Sequence, residues 1–399
     1  VSHIAILMPS LTGGGAERVL LELAREFAAG GHVVELLLSR VKGRHGERLP
    51  PELTAVPLRR AGTLAARAHA MGAAGSDRGA LLRPVLLPLK SSWALHYLPD
   101  LARYLAEKRP AALLSANSWP NLVALWARRR AGVRTRVVVT EHVHMSQRVR
   151  HLARKWRWRC LPELVGRTYP EAAGIVAVSR GVAEDLIACT GLPEDRVVAI
   201  ANPVVTASLL RQAQDPAPHP WLAPGGPPVV LAAGRLHPQK NFPLLLRAFA
   251  SARRHRPSLR LMLLGEGAER QRLERLAREL GIGEAVLLPG HVANPYAFMS
   301  RAAVFVLSSI YEGLPTVLVE ALACGAPVVS TDCPSGPAEI LADGRFGRLV
   351  PVEDENALAT AILETLDSPP DREDLRRRGL DFTAAAAARR YLPILLGDA

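Results

Sequence analysis

Three groups of residues in this chain of 399 combine side-chain types and spacings that can do chemistry. Glu312 and Glu320 enclose Gly313-Leu314-Pro315 and the start of an apolar-periodic run that ends at Gly325. Pro315 suits the first helical turn, where its missing N–H costs nothing, so the free N–H groups and the positive helix end face whatever sits above Gly313. An anionic or hydroxyl-rich ligand is the natural guest. Glu320 lies roughly 7.5 Å beyond Pro315 at about 1.5 Å per residue, so the two carboxylates can meet different parts of an extended ligand; a surface Glu and a helix-face Glu are the competing reading. Arg235 and Lys240, five apart on one loop, can hold an anion from two sides and neutralise developing negative charge, with a pair of exposed basic residues as the competing reading. His142 follows Glu141 at the end of an apolar run, and in doubly wound sheets such carboxyl ends line the ligand crevice. A histidine capping the strand end is the competing reading of that position.

The elements that must position these groups alternate as strand and helix. Residues 3–8 read as a buried strand, 11–16 as a loop carrying Gly13, Gly14 and Gly15, 17–29 as an amphipathic helix and 32–38 as a second strand, a βαβ opening. Strands follow at 111–116, 135–140 and 174–178, with helices at 119–130 and 180–188. Residues 61–98, rich in Ala, Arg and Leu, read as helices leading to one at 97–108. After a Pro-rich stretch the alternation resumes with strands at 228–233, 259–264, 286–288, 302–307, 326–331 and 346–350, and helices at 243–252, 268–280 and 356–366. A terminal helix is expected over 375–395. The fold class is α/β, with two doubly wound Rossmann-like domains. The expected boundaries are 1–200, a connection at 201–227, a second domain at 228–374, and a terminal segment, 375–399.

Charge is divided unevenly. Residues 1–200 hold 29 Lys and Arg against 16 Asp and Glu, and the remainder holds 21 of each, so the net +13 lies wholly in the first half. Within it Arg148, Arg150, Arg154, Lys155, Arg157 and Arg159 run without an acid among them, interleaved with Trp156 and Trp158. Three readings compete: a grip on nucleic acid, a membrane surface where cations meet anionic headgroups and Trp settles at the interface, and a solvated helix face. Arg83 and Lys90 interrupt the best apolar run, leaving none of the roughly 18 to 20 residues that spans a bilayer. Cys160, Cys189, Cys324 and Cys333 form no zinc pattern and no disulfide framework, which suits a reducing cytosol. The first residues read as a strand, not a cleavable signal. The Gly13-Gly14-Gly15 loop has neither dinucleotide-fingerprint spacing nor a following Gly-Lys-Ser/Thr, so alone it says only that backbone can approach a ligand closely.

The Glu312-x7-Glu320 pair with Gly313-Leu314-Pro315 behind the first Glu, together with Gly234-Arg235-Leu236 and Gln239-Lys240-Asn241, resembles the signature of the retaining glycosyltransferases of family 4, which have the GT-B fold. The order Gly13-Gly14, His142, Arg235 with Lys240, Gly290-His291, then Glu312 with Glu320 recurs across nearly the whole chain. The match is strong in the second half and only in outline in the first, as expected if the first half holds the variable acceptor.

The resemblance implies two domains facing a central cleft and transfer of a sugar from a nucleotide-sugar donor to an acceptor hydroxyl with retained configuration. It implies that Arg235 and Lys240 stabilise the leaving diphosphate, with backbone near Gly13 and Gly14. Glu312 would orient the donor sugar with the amides of Gly313 and Leu314, Glu320 would bind ribose hydroxyls, and His142 would contact the sugar. Gly265 and Gly267 would admit the donor closely, and Val292 would touch the base. No Asp-x-Asp metal motif is present, so no metal and no cofactor is expected. UDP-sugar is the favoured donor, GDP-mannose the second. The acceptor would be a glycan or lipid-linked sugar of envelope polysaccharide or glycolipid synthesis. The resemblance also favours the membrane among the functional readings of the basic stretch, with the enzyme cytoplasmic and peripheral at the inner face of the plasma membrane, and the terminal segment returning to the first domain. The rivals are a GT-B phosphorylase or sugar-phosphate synthase and, from another class, a non-catalytic nucleic-acid-binding protein.

Overall fold

Runs such as Val229-Val230-Leu231-Ala232-Ala233 are apolar on both sides, which suits strands of a parallel sheet covered by helices on both faces. In the structure, a computed structural model that describes residues 1–8, 15–39, 49, 51–74, 79, 85, 92–152, 156–216 and 219–397, they occupy that position in two units. One unit is Val1–Pro203 with Ala384–Ala399, the other Val204–Thr383.

The first unit holds a seven-stranded sheet in the order β3-β2-β1-β4-β5-β6-β7. Its strands are β1 (His3–Met8), β2 (Val33–Leu38), β3 (Leu53–Pro57), β4 (Ala112–Ala116), β5 (Arg136–Glu141), β6 (Gly174–Ala177) and β7 (Val197–Ala199), all paired parallel. The second unit holds six parallel strands in the order β10-β9-β8-β11-β12-β13. These are β8 (Val229–Ala233), β9 (Arg260–Leu264), β10 (Val286–Gly290), β11 (Val304–Leu307), β12 (Val328–Thr331) and β13 (Arg348–Val350). Both orders reverse once, between β1 and β4 and between β8 and β11, and in such sheets ligands bind outside the carboxyl ends of the strands at that reversal.

Two strands, β3 and β7, were not legible as strands: both are partly exposed edges, β3 broken by Thr54 and ending in Pro57, and β7 only three residues long. The helix expected over 375–395 is two helices. Arg372–Leu380 packs on Thr316–Ala323 in the second unit, and Ala384–Leu396 lies in the first. The break falls at residues 381–383, where the Phe382 carbonyl accepts from both Val204 N and Val205 N at 3.0 Å. The chain therefore changes unit at Ala384 rather than at 375, and residues 204–227 count with the second unit. Ala387, Ala388, Tyr391 and Leu395 then join the core formed by Ile4, Ile6 and Leu20.

Candidate functional site

In the second unit the loops after β8 and β11 leave the sheet side by side at the reversal of strand order. Three hydrogen bonds strap one to the other: Ile310 N to Gln239 O at 2.9 Å, Gln239 Nε2 to Tyr311 O at 2.8 Å, and Ser308 Oγ to Lys240 O at 2.7 Å. From the next strand, Thr331 Oγ1 donates to Ser309 O at 2.7 Å. This brings together two residues 72 apart in sequence: Lys240 Nζ lies 2.6 Å from Glu312 Oε1. The buried Ser309 hydroxyl donates to the same oxygen at 2.6 Å. Both ionic side chains are mostly buried, at 17% and 9% exposure, so each compensates the other's desolvation. Glu312 Oε2 and two of the three ammonium protons of Lys240 lie outside this pair and can take further bonds.

The backbone aims the cation. His237 Nδ1 accepts from Gln239 N at 3.3 Å and caps the tight turn Pro238–Lys240. Asn241, at φ 46°, then reverses the chain into the helix Phe242–His255, whose second residue is a proline. Arg235 is exposed and makes no ion pair or hydrogen bond with the described residues. The loop thus carries one committed cation and one open cation.

The glycines expected to admit a ligand have a different local cause. A Cβ on Gly265 would stand 2.0 Å from Gly234 O, and one on Gly267 would stand 2.3 Å from Leu236 O. The missing side chains let the loops after β8 and β9 pack backbone on backbone, and Leu236 N bonds Glu266 O at 2.9 Å. Gly336, at φ +93°, plays the same part for the central loop: a Cβ there would meet Pro315 Cδ at 2.5 Å. Gly313 and Leu314 are buried behind Glu312. Pro315 is the N-cap of the helix Thr316–Ala323, one residue before the first turn. Glu320 is buried on that helix at 3% exposure. Cys333 lies near enough that burial and, secondarily, the Glu312 charge push its thiol up to about 12. Val292 is half-buried in the loop after β10.

In the first unit, Gly13 and Gly14 lie outside the described residues. His142 follows the end of β5, with Nε2 2.9 Å from Thr140 Oγ1. Burial, then the nearby Arg148 charge, hold its imidazole down at about 4, so the ring is neutral at pH 7. Beside it stands a group that sequence reading missed. Glu141 is 3% exposed and accepts from Ser118 Oγ at 3.1 Å, from Asn121 Nδ2 at 3.3 Å and from the Tyr169 hydroxyl. Burial raises its carboxyl and these donors pull against that rise, the tyrosine most. A second missed pair joins His144 Nδ1 to Asp185 Oδ1 at 3.2 Å, with Ser146 N on Asp185 Oδ2 at 3.1 Å. Burial opposes the charge on Asp185, but these bonds outweigh it and hold its carboxyl below the usual range. His142 and His144 are two apart on a run leaving a strand, which was the available signal for the second.

The basic stretch divides. Arg154 and Lys155 lie outside the described residues, and Trp156 and Arg157 belong to the short helix Trp156–Arg159. Trp158 is half-buried against the core, with the Arg148 guanidinium 5.1 Å from its ring centroid. Arg148 therefore faces inward, onto Trp158 and near enough to His142 and Glu141 for its charge to act on both, while Arg150 and Arg159 are exposed. Among the described residues no helix is long and apolar enough to cross a membrane. No cluster of three or more His, Cys, Asp or Glu among them could hold a metal ion.

Comparison with known proteins bears on this arrangement. The family model described as Glycosyltransferase Family 4 matches residues 13–208, and that described as Glycosyl transferases group 1 matches residues 214–381. The N-acetylgalactosamine-N,N'-diacetylbacillosaminyl-diphospho-undecaprenol 4-alpha-N-acetylgalactosaminyltransferase of Campylobacter jejuni is 33% identical over 288 residues, 70% of this chain and 74% of that one. The lipopolysaccharide core biosynthesis glycosyltransferase LpsE of Rhizobium meliloti is 35% identical over 177 residues, 43% of this chain and 51% of its own. Among solved structures, HepE of Anabaena in complex with UDP aligns at a TM-score of 0.72 with 18% identity, covering 99% of this chain and 100% of that one. A glycosyltransferase from Rickettsia africae aligns at 0.74 with 16% identity, covering 99% and 97%. At such identities the structural likeness speaks for the fold alone, two Rossmann-like domains in the GT-B class. Sequence likeness and fold agree, and this chain belongs to glycosyltransferase family 4.

Proposed function

We propose that this glycosyltransferase moves a sugar from a nucleoside diphosphate sugar, UDP-linked in preference to GDP-linked, to a hydroxyl of a glycan or lipid-linked acceptor in envelope polysaccharide or glycolipid synthesis, with the anomeric configuration retained. The observation that carries this reading is the Lys240–Glu312 pair, held by strapped loops at the strand reversal with the uncommitted Arg235 on the same loop. Arg235 captures the diphosphate through its open guanidinium, and Lys240 adds a fixed positive charge where the leaving oxygen gains negative charge. Glu312 accepts from a donor-sugar hydroxyl through Oε2, with the amides of Gly313 and Leu314 beside it. Glu320 accepts from the ribose, Val292 meets the base, and His142 contacts the sugar.

The acceptor oxygen bonds to the anomeric carbon on the face from which the diphosphate departs, as the bond to the phosphate oxygen breaks. The acceptor's proton passes to that oxygen. No protein nucleophile is assigned, and the two cations serve where another enzyme would use a metal. The backbone near Gly13 and Gly14 assists at the diphosphate. Gly265 and Gly267 act indirectly, by letting the donor-side loops close on each other. Docking to an anionic membrane falls to Arg150 and Arg159 with Arg154, Lys155, Trp156 and Arg157, because Arg148 and Trp158 are occupied with each other.

A panel of UDP- and GDP-sugars tested in chelator checks the reading. One donor should raise the melting temperature, and its transfer product should keep the donor's anomeric configuration by NMR. An inverted product, or transfer only with added divalent metal, would overturn it.

A further inference from the structure

At the end of β5 a single hydroxyl stands between two partners. Thr140 is fully buried, with Oγ1 3.1 Å from Ser115 O and 2.9 Å from His142 Nε2. A carbonyl oxygen can only accept, whereas a ring nitrogen of neutral imidazole donates or accepts according to tautomer. Threonine has one hydroxyl proton to give. Were it directed to His142, Oγ1 and Ser115 O would face each other lone pair to lone pair inside the protein. Directed to Ser115 O, it leaves Oγ1 to accept from His142, and both contacts are satisfied.

Thr140 is held in place by its own backbone. Its carbonyl accepts from Asn121 Nδ2 and from Asn117 N, each at 2.9 Å, and it lies in register with Ala116 of β4. The charged group that acts on the ring is Arg148, and burial beside it disfavours the doubly protonated imidazolium.

We infer that Thr140 is a positioning residue that fixes His142 as the Nε2–H tautomer, so that the ring offers Nδ1 to its ligand as a hydrogen-bond acceptor. The group recognised there is then a donor, a neutral hydroxyl, and not a carboxylate or phosphate oxygen. That consequence rests on the proposal that His142 contacts the donor sugar; the tautomer itself does not. A donor in which the hydroxyl is replaced by fluorine or by carboxylate loses the contact.

The test is a long-range proton–nitrogen correlation spectrum of the full chain labelled with nitrogen-15 histidine, at pH 7, with the His142 ring identified by its loss in His142→Gln. The wild-type ring should give the pattern of a single neutral Nε2–H tautomer. Thr140→Ser should keep that pattern and Thr140→Val should mix the two tautomers. A wild-type ring that is Nδ1–H or charged overturns the inference, as does an unchanged pattern in Thr140→Val; if that variant does not fold, the wild-type spectrum still decides. Sugar transfer by His142→Gln is read separately. A wild-type rate there, with the Nε2–H pattern present in the parent, would remove the sugar contact and leave the tautomer lock standing.

Discussion

Each unit places a buried carboxylate beside the carboxyl ends of its central strands, and the two are treated in opposite ways. Glu312 in the second unit is met by a cation, Lys240, and by one hydroxyl, and keeps an oxygen for further bonds. Glu141 in the first unit is met by neutral donors from Ser118, Asn121 and Tyr169 and sits deeper. On the proposed reading, the first arrangement stores charge that a bound diphosphate and sugar would redistribute. The second commits its carboxylate to joining the helix Ser118–Ala131 to β5 and to Tyr169. We propose that a carboxylate at a strand end serves chemistry when its partner is a cation with protons to spare, and scaffold when neutral donors saturate it.

The comparison can be broken first on its charged side. Lys240→Ala should lower sugar transfer by about a thousandfold, the scale expected for deleting a preorganised stabiliser of developing negative charge, with far-UV circular dichroism unchanged. A loss of less than about tenfold in steady-state turnover would detach the pair from the chemistry. On the scaffold, Gly265→Ala should destabilise the second unit by about 3 kcal/mol, because backbone must move to admit the methyl group. Gly281→Ala, which has positive φ but open space around it, should cost about 1 kcal/mol. Both positions have positive φ, +135° at Gly265, so urea unfolding of the pair reads the crowding at Gly265 on top of the backbone strain.

In the first unit, Tyr169→Phe removes one donor from a buried carboxylate and should cost about 2 kcal/mol of stability, with sugar transfer per folded molecule far less affected than in Lys240→Ala. His142 supplies a pH signature. Its imidazole is lowered from an ordinary 6.5 to about 4, so between those values the unfolded chain binds a proton that the folded one does not. Stability should therefore fall as pH drops through that window, and His142→Gln should flatten the fall. The smallest effect belongs to the exposed Arg247–Glu355 pair, 42% and 39% exposed, where Arg247→Ala should change stability by less than about 1 kcal/mol.

What the sequence made legible was contiguous. Arg235 with Lys240 sit on one loop, and Glu312 with Glu320 on one loop and the helix after it, so the apolar runs before each loop were enough to place them. The parallel sheets were legible where strands are covered on both faces and read as apolar runs. The Glu141 cluster was not, because its donors come from residues 118, 121 and 169 and only the fold brings them together. Ser309 stands three residues before Glu312, yet spacing does not say which way a loop side chain points. Gly265 and Gly267 drew attention for the right structural property, tolerance of close backbone approach, but the backbone that approaches is the chain's own. The inward turn of Arg148 onto Trp158 was likewise hidden, since a run of alternating Arg and Trp carries no record of which members face the core.

The most direct test of the central claim, that fixed positive charge on the loop after β8 holds the leaving diphosphate, is calorimetric titration of wild type and Lys240→Ala with UDP and with UMP in chelator. Wild type should prefer the diphosphate by about tenfold or more, roughly 1.4 kcal/mol, and the variant should lose most of that preference while binding the monophosphate nearly as before. An equal preference in both proteins would contradict the account.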